Sequence, residues 1–199
     1  MKQYINKHKD LIDCCILLLI LSACTAFLCA SRMDLHSLNS YKTAFVSAMI
    51  IPEDIVQFFI QQTLVNIILC LIIFLSGFSL LGIPFIDFMI FLKGFQIGFT
   101  MVMFLFTYKS FGVIGIVMTV LPQMILDCCA VVICASSSIH LSGMILSTLM
   151  DAKLKLKWKQ FINRKLNHFI VSVVMIFISS IFKSTAGLFL LQLFLKLQI

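Results

Sequence analysis

The sequence predicts an all-α, polytopic integral membrane helical bundle of about five crossings, with a fourth helix broken at Pro122. Hydrophobic residues make up 61% of the 199 positions, and the mean hydropathy is +1.12. Only 12% of the residues are charged, whereas about a quarter are charged in an ordinary globular domain. The chain has too few polar residues to cover a core in water, so the expected solvent is lipid.

Apolar runs of about 20 residues mark the crossings, because a helix of that length spans a hydrocarbon core about 30 Å thick. The predicted spans are residues 11–30, 63–82, 84–107, 113–150 and 169–195. The first run follows a basic N-terminus, so a cleaved signal peptide is its alternative. We favour an uncleaved span, since the run is longer than a usual signal-peptide core.

A helix start is predicted just before the second span. Pro52 needs no backbone donor in a first turn, and the following Glu53 and Asp54 face the positive end of the helix dipole. This helix either lies at the membrane interface or lengthens the second span.

The fourth apolar region is too long for one straight crossing. Its roughly 38 residues would cover about 57 Å, nearly twice the hydrocarbon core. Pro122 lacks a backbone donor and clashes with the preceding turn, so we expect a kink or break there. Either residues 113–120 form a half-helix or re-entrant piece before one crossing, or the region makes two crossings.

Basic residues decide between these alternatives. The N-terminal ten residues carry three lysines against Asp10, and residues 151–168 carry six basic residues against Asp151. Both segments should be cytoplasmic by the positive-inside rule, which requires an even number of crossings between them. The prediction is therefore five crossings, a cytoplasmic N-terminus, an external C-terminus and a cytoplasmic basic loop over residues 151–168. This loop either rests on anionic headgroups or only sets the topology; its basic residues are Lys153, Lys155, Lys157, Lys159, Arg164 and Lys165.

Charged residues occur inside the third and fourth spans. Lys93 lies near the bilayer middle, where a charge costs at least about 2.5 kcal/mol and usually faces a bundle interior or a polar cavity. Asp87 lies six residues earlier, roughly 120° around the helix, and should reach the inner interface by itself. We hypothesise that Lys93 meets Asp127, or carbonyls freed by Pro122, across these spans. The alternative is that Lys93 snorkels and Asp127 lies at the outer water boundary.

A small-residue motif adjoins Lys93. Gly94 and Gly98 have the GxxxG spacing that lets two membrane helices approach backbone to backbone. With Gln96 they predict a packed interior face, whose partner is either the fourth span or another subunit in a homo-oligomer. Gln123 in the fourth span is a further intramembrane polar residue.

No catalytic, cofactor or metal motif stands out. The sequence contains no HExxH, GxSxG or GxxxxGK[ST] pattern, and its four histidines are scattered. The eight cysteines lie in apolar stretches without a CxxC pair, so we expect free, buried or lipid-facing thiols. Cys24 and Cys29 form the one pair worth testing for oxidation. The net charge of +7 is concentrated in the two basic segments and indicates topology, not nucleic-acid binding.

Five short motifs lie between Ser76 and Asp127. They are Gly-Ile-Pro at 82–84, Leu-Lys-Gly-Phe at 92–95, Gly-Phe-Thr at 98–100, Gly-Val-Ile-Gly at 112–115 and Leu-Pro-Gln at 121–123. Together with the span layout, this pattern resembles the stage II sporulation protein M family. That family commonly has Arg where Lys93 stands and Asn where Met124 stands.

The resemblance implies a multi-pass protein of the mother-cell membrane in a Gram-positive endospore former, on the mother-cell side of the sporulation septum. In that family the protein works with stage II sporulation proteins D and P, whose extracytoplasmic domains degrade peptidoglycan during forespore engulfment. The chain would then be a membrane scaffold and not an enzyme. A small transporter or permease subunit is the alternative, because broken helices and intramembrane charges also build solute sites.

Overall fold

The computed structural model describes residues 9–48, 54–79, 81–150 and 158–197, and no strand occurs among them. Helices account for 94% of the structure, which confirms the predicted all-α class. Two π-helical turns interrupt the long helices: π1 is Ile116–Val120 and π2 is Lys183–Gly187. The α-helices are α1 Lys9–Ser31, α2 Leu35–Ala48, α3 Ile55–Ser76, α4 Gly82–Tyr108, α5 Ser110–Gly115, α6 Leu121–Met150, α7 Trp158–Phe182 and α8 Leu188–Leu197.

The described residues contain five helical stretches long and apolar enough to cross a membrane, as predicted. These stretches are Lys9–Ser31, Ile55–Ser76, Gly82–Tyr108, Ser110–Thr148 and Lys165–Phe194.

The second span begins earlier than the predicted residue 63 and ends at Ser76, short of residue 82. Asp54 caps α3 by accepting hydrogen bonds from the backbone N–H groups of Val56 and Gln57. An Asp cap satisfies amides that the first turn leaves unpaired, so the helix lengthens the second span at its start. The predicted start at Pro52 lies outside the described residues.

The discontinuity near Pro122 takes the form of a π-helical turn. The chain stays helical from Ser110 to Thr148, and Pro122 is the second residue of α6. A proline ring collides with the carbonyl four residues before it, which here belongs to Met118 in π1. The wider π-helical turn accommodates the ring without ending the helix. The structure therefore has neither a separate half-helix nor a re-entrant piece over residues 113–120.

The predicted basic loop is shorter than residues 151–168. Helix α7 begins at Trp158, so Lys159, Arg164 and Lys165 belong to a helix and the loop prediction is wrong for that part. The side chain of Lys165 is buried and not spread on a surface. Lys153, Lys155 and Lys157 lie outside the described residues.

The bundle core lies where α1, α3, α4, α6 and α7 meet. Helix α1 runs along α4, α6 runs along α7, and α3 contacts α4, α6 and α7. A second cluster joins Phe104 of α4 to Val120 and to Phe194 of α8. Many large apolar side chains face outward, as expected for helices that have lipid around them. The main core contains Cys15, Leu19, Cys70, Ile73, Ile86, Ile90, Ala130, Val131, Val132, Cys134, Ala135 and Ile176.

Candidate functional site

Lys93 lies inside the bundle and contacts two other helices. Its ammonium donates a hydrogen bond to Asn66 Oδ1 of α3 at 2.8 Å. The same nitrogen lies 3.6 Å from Asp127 Oδ2 of α6, and the Asn66 amide donates to that oxygen at 3.4 Å. The structure thus brings Lys93 and Asp127 together, as hypothesised, and adds Asn66 as a third member.

Asn66 is the closer partner of the Lys93 ammonium. Charge-assisted N–H···O bonds are typically about 2.7–2.9 Å long, so the Lys93–Asp127 separation of 3.6 Å is an ion pair without a short hydrogen bond. The Asn66 carbonyl accepts from the cation while its amide donates to the anion. This orientation makes Asn66 a neutral bridge between the two charges.

A second cation lies in the fifth span. The Lys183 ammonium donates to Gln62 Oε1 of α3 at 2.6 Å. It also lies 5.8 Å from the centre of the Phe58 ring, within the range of a cation–π contact. Lys183 is the first residue of π2.

Polar residues four positions apart recur on three helices. Side chains four positions apart lie one above the other on the same helix face, so the two residues of each pair are aligned parallel to the helix axis. Between α6 and α7, the Ser179 hydroxyl donates to the Gln123 backbone carbonyl at 3.3 Å. We call these residues with Lys93 the polar row: Gln62 and Asn66 of α3, Gln123 and Asp127 of α6, and Ser179 and Lys183 of α7 and π2.

Two acceptors of the polar row have no hydrogen-bond donor among the described residues. They are Asp127 Oδ1 and Gln123 Oε1, both buried. Leaving such an atom unpaired costs about 1–3 kcal/mol. The row thus combines two ammonium groups, one carboxylate and two acceptors that require donors.

The GxxxG motif contacts the first span. A Cβ atom on Gly98 would lie 2.7 Å from the Ala23 backbone, and one on Gly94 would lie 2.8 Å from the Leu19 carbonyl. Side chains at these two positions would push α1 away. The helix in contact with the two glycines is therefore α1 and not the fourth span.

The other predicted site residues of α4 lie elsewhere. Gln96 is exposed, so its assignment to the packed face is wrong. Asp87 is half-buried near the start of α4 and takes no part in the polar row. Pro122 adjoins the row through its neighbour Gln123.

The members of the row that the sequence analysis missed are Gln62, Asn66, Ser179 and Lys183. None of them belongs to a recognised motif. The spacing of four between Gln62 and Asn66, repeated between Gln123 and Asp127, was the available signal.

Metal binding has no candidate in the part of the chain that the structure describes, where no group of three or more His, Cys, Asp or Glu residues converges. The eight cysteines are free thiols. Cys24 and Cys29 are both exposed and are not joined by a disulfide. Their oxidation to a disulfide stays a prediction.

Five long apolar helices, three of them joined by a largely buried ion pair and its amide bridge, define the chain as a multi-pass helical membrane protein. The family described as Stage II sporulation protein M matches residues 15–185. The chain therefore belongs to the stage II sporulation protein M family and is a sporulation-related membrane protein. Comparison with curated proteins gave no match, and neither did comparison with solved structures.

Proposed function

We propose that this protein is the membrane scaffold of the septal peptidoglycan-degrading complex that drives forespore engulfment. Family membership supports a role in sporulation. In this proposal the chain lies on the mother-cell side of the septum, with its N-terminus in the cytoplasm and its C-terminus outside. It anchors or localises stage II sporulation proteins D and P, which perform the hydrolysis.

The observation that carries a scaffold role is the internal linkage of the spans. The polar row connects α3, α4, α6 and α7 through side chains, and the GxxxG motif holds α1 against α4. Polar contacts inside a bilayer restrict how the helices can slide or rotate. A bundle fixed in this way presents its outward faces and its connecting segments to partners in a constant arrangement.

Deletion and complementation test this proposal in an endospore-forming host. A strain without the gene is complemented with the wild-type chain, with Asp127→Asn, or with Lys196→Gln, an exposed lysine of α8 that serves as control. Septal membranes are imaged with a fluorescent dye during sporulation. We expect deletion to stop engulfment after septation, the wild-type and Lys196→Gln chains to restore it, and Asp127→Asn to restore it poorly at matched membrane abundance.

Partner capture provides the second measurement. A tagged chain is purified from sporulating cells, and the bound proteins are identified. The proposal requires stage II sporulation proteins D and P among them. Normal engulfment in the deletion strain, or unchanged localisation of both hydrolases without the chain, contradicts it.

Solute transport is the second candidate function, favoured by the intramembrane polar row. It predicts that an ATPase co-purifies with the chain or that a substrate stabilises it. Uptake or efflux that fails in the deletion strain while engulfment proceeds supports transport over the scaffold.

A further inference from the structure

An exposed amide lies in the middle of the third span. Gln96 is one position past the midpoint of α4, whose 27 residues run from Gly82 to Tyr108. Its backbone carbonyl accepts a hydrogen bond from Thr100, but its side chain has no hydrogen-bond partner among the described residues. Either end of α4 is about 18–21 Å away along the helix, which is too far for this side chain to reach water. Since an unpaired amide in hydrocarbon is costly, Gln96 needs a partner outside its own bundle.

Gln96 ends a row of exposed residues along α4. Phe85, Phe88 and Leu92 precede it at spacings of three and four, which place all four residues within about 80° around the helix. The three apolar side chains are 43–54% exposed. We call Phe85, Phe88, Leu92 and Gln96 the α4 outer stripe.

Other helices occupy the remaining sides of α4. The GxxxG motif contacts α1, and Lys93 contacts α3 and α6. Beyond the stripe, α2 covers the outer half of α4, where the rings of Tyr41 and Phe99 lie 5.6 Å apart. The α4 outer stripe is therefore the side of this helix that is open to a neighbour, with Gln96 at its deep end.

The amide of Gln96 specifies which neighbour can cover the stripe. A glutamine amide offers two N–H donors and a carbonyl acceptor, whereas lipid acyl chains offer neither. A second glutamine amide at the same depth satisfies both groups, because each amide donates to the other's carbonyl. Two copies of this chain have the same orientation in the membrane. A two-fold axis along the membrane normal then sets their α4 helices parallel and places identical residues at the same depth.

We propose that the α4 outer stripe is the contact between two copies of this protein in the membrane. The two Gln96 amides pair across the two-fold axis through two N–H···O hydrogen bonds, and the apolar residues of the stripe pack against their counterparts. Side-chain amides hydrogen-bond across membrane helices in this way. The contact requires no change in the polar row or in the packing of α1 on α4.

Energy transfer between labelled copies measures this contact in lipid. Full chains that carry a donor or an acceptor fluorescent protein at the N-terminus are purified and reconstituted together in vesicles of phosphatidylcholine and phosphatidylglycerol, at rising protein-to-lipid ratios. We expect the wild-type transfer to saturate as it does for a dimer. Gln96→Leu should raise the apparent Kd about tenfold, which corresponds to about 1.4 kcal/mol for the two hydrogen bonds.

Three comparisons separate amide pairing from a general effect of substitution. Gln96→Asn keeps a self-complementary amide and should retain most of the association. Gln61→Leu removes an exposed amide near the start of α3 and should leave the Kd unchanged. Because the Gln96 side chain makes no hydrogen bond within the described bundle, Gln96→Leu should unfold at the same temperature as the wild-type chain in detergent.

Disulfide cross-linking locates the contact on α4. Leu92→Cys and Leu17→Cys are made in a chain whose eight native cysteines are replaced by serine. Leu17 is 65% exposed on α1 at a comparable distance from the start of its helix, so it is the matched control. An apolar copper–phenanthroline oxidant should join the Leu92→Cys chains into covalent dimers and leave the Leu17→Cys chains monomeric.

Three results overturn the proposal. They are a wild-type chain that stays monomeric at every ratio, a Gln96→Leu chain that associates as tightly as wild type, and Leu17→Cys chains that cross-link as well as Leu92→Cys chains. A purified wild-type chain that is monomeric, combined with loss of partner capture by Gln96→Leu in sporulating cells, assigns the stripe to a partner's membrane helix instead. The purified chain is measured without the hydrolases, so self-association and the scaffold role stand or fall separately.

Discussion

Removing one charge of the Lys93–Asp127 pair should destabilise the bundle more than removing both. Asp127→Asn leaves the Lys93 ammonium buried with only Asn66 as its close partner. Lys93→Met leaves the Asp127 carboxylate without its cation. The double variant retains two amides, at positions 66 and 127, that can bond to each other, and no unmatched charge at this point.

The structure sets the expected size of these effects. Breaking a buried ion pair from one side costs about 3–5 kcal/mol in soluble proteins, and interhelical hydrogen bonds in a membrane average about 0.6 kcal/mol. Because Asn66 remains bonded to Lys93 and the Asp127 side chain is 16% exposed, the expected costs lie between these two values. We expect about 2–3 kcal/mol for each single variant, about 1–2 kcal/mol for the double variant, and a coupling energy of about 3 kcal/mol.

Unfolding in mixed micelles with an increasing fraction of a denaturing detergent measures these free energies. The matched control is Asp34→Asn, an exposed carboxylate outside the spans, which should change stability by less than about 0.5 kcal/mol. The reasoning is refuted when the costs of the two single variants add up to that of the double variant within about 0.5 kcal/mol.

Two further predictions concern α1. Gly98→Val should cost about 1–3 kcal/mol in the same unfolding assay, because its Cβ meets the Ala23 backbone at 2.7 Å. Gly143→Ala, with nothing within 4 Å, should instead stabilise its helix, and equal effects of both would contradict the packing. For topology, Ser31→Cys and Lys9→Cys are made in a chain whose eight native cysteines are replaced by serine. An impermeant maleimide should label Ser31→Cys in intact protoplasts and Lys9→Cys only after permeabilisation; the reverse pattern contradicts the predicted orientation.

Hydropathy and charge were sufficient to predict the five crossings, because each apolar run is long enough to span the hydrocarbon core whichever helices lie beside it. Lys93 was predictable for the same reason: a charge in an apolar run needs protein around it wherever the helix packs. The bridging of Lys93 and Asp127 by Asn66 was not predictable, because that contact depends on which face α3 turns toward α4. The contacts of the Lys183 ammonium were not predictable either, because they require α3 to lie beside the fifth span.

The prediction for Gln96 failed for a geometric reason. Gln96 lies two positions from both Gly94 and Gly98, which is about 200° around the helix, so it points away from the face that packs on α1. The sequence could not predict that α1 packs on this face. Small residues indicate that another helix approaches closely, but they do not indicate which helix it is.

The two π-helical turns also determine where the chain can change in length without rotating the helix that follows. A π-helical turn holds one residue more than the α-helical turn it replaces, so deleting one residue from π2 would leave an α-helical turn and hardly rotate α8. Deleting one residue from α8 ahead of Phe194 would instead rotate Phe194 by about 100°. Phe194 would then leave its contacts with Phe104 and Tyr108, whose ring centres lie 6.2 and 5.2 Å away. The chain around π2 can therefore lose one residue and keep the face that α8 turns toward α4, whereas the same loss within α8 would change that face.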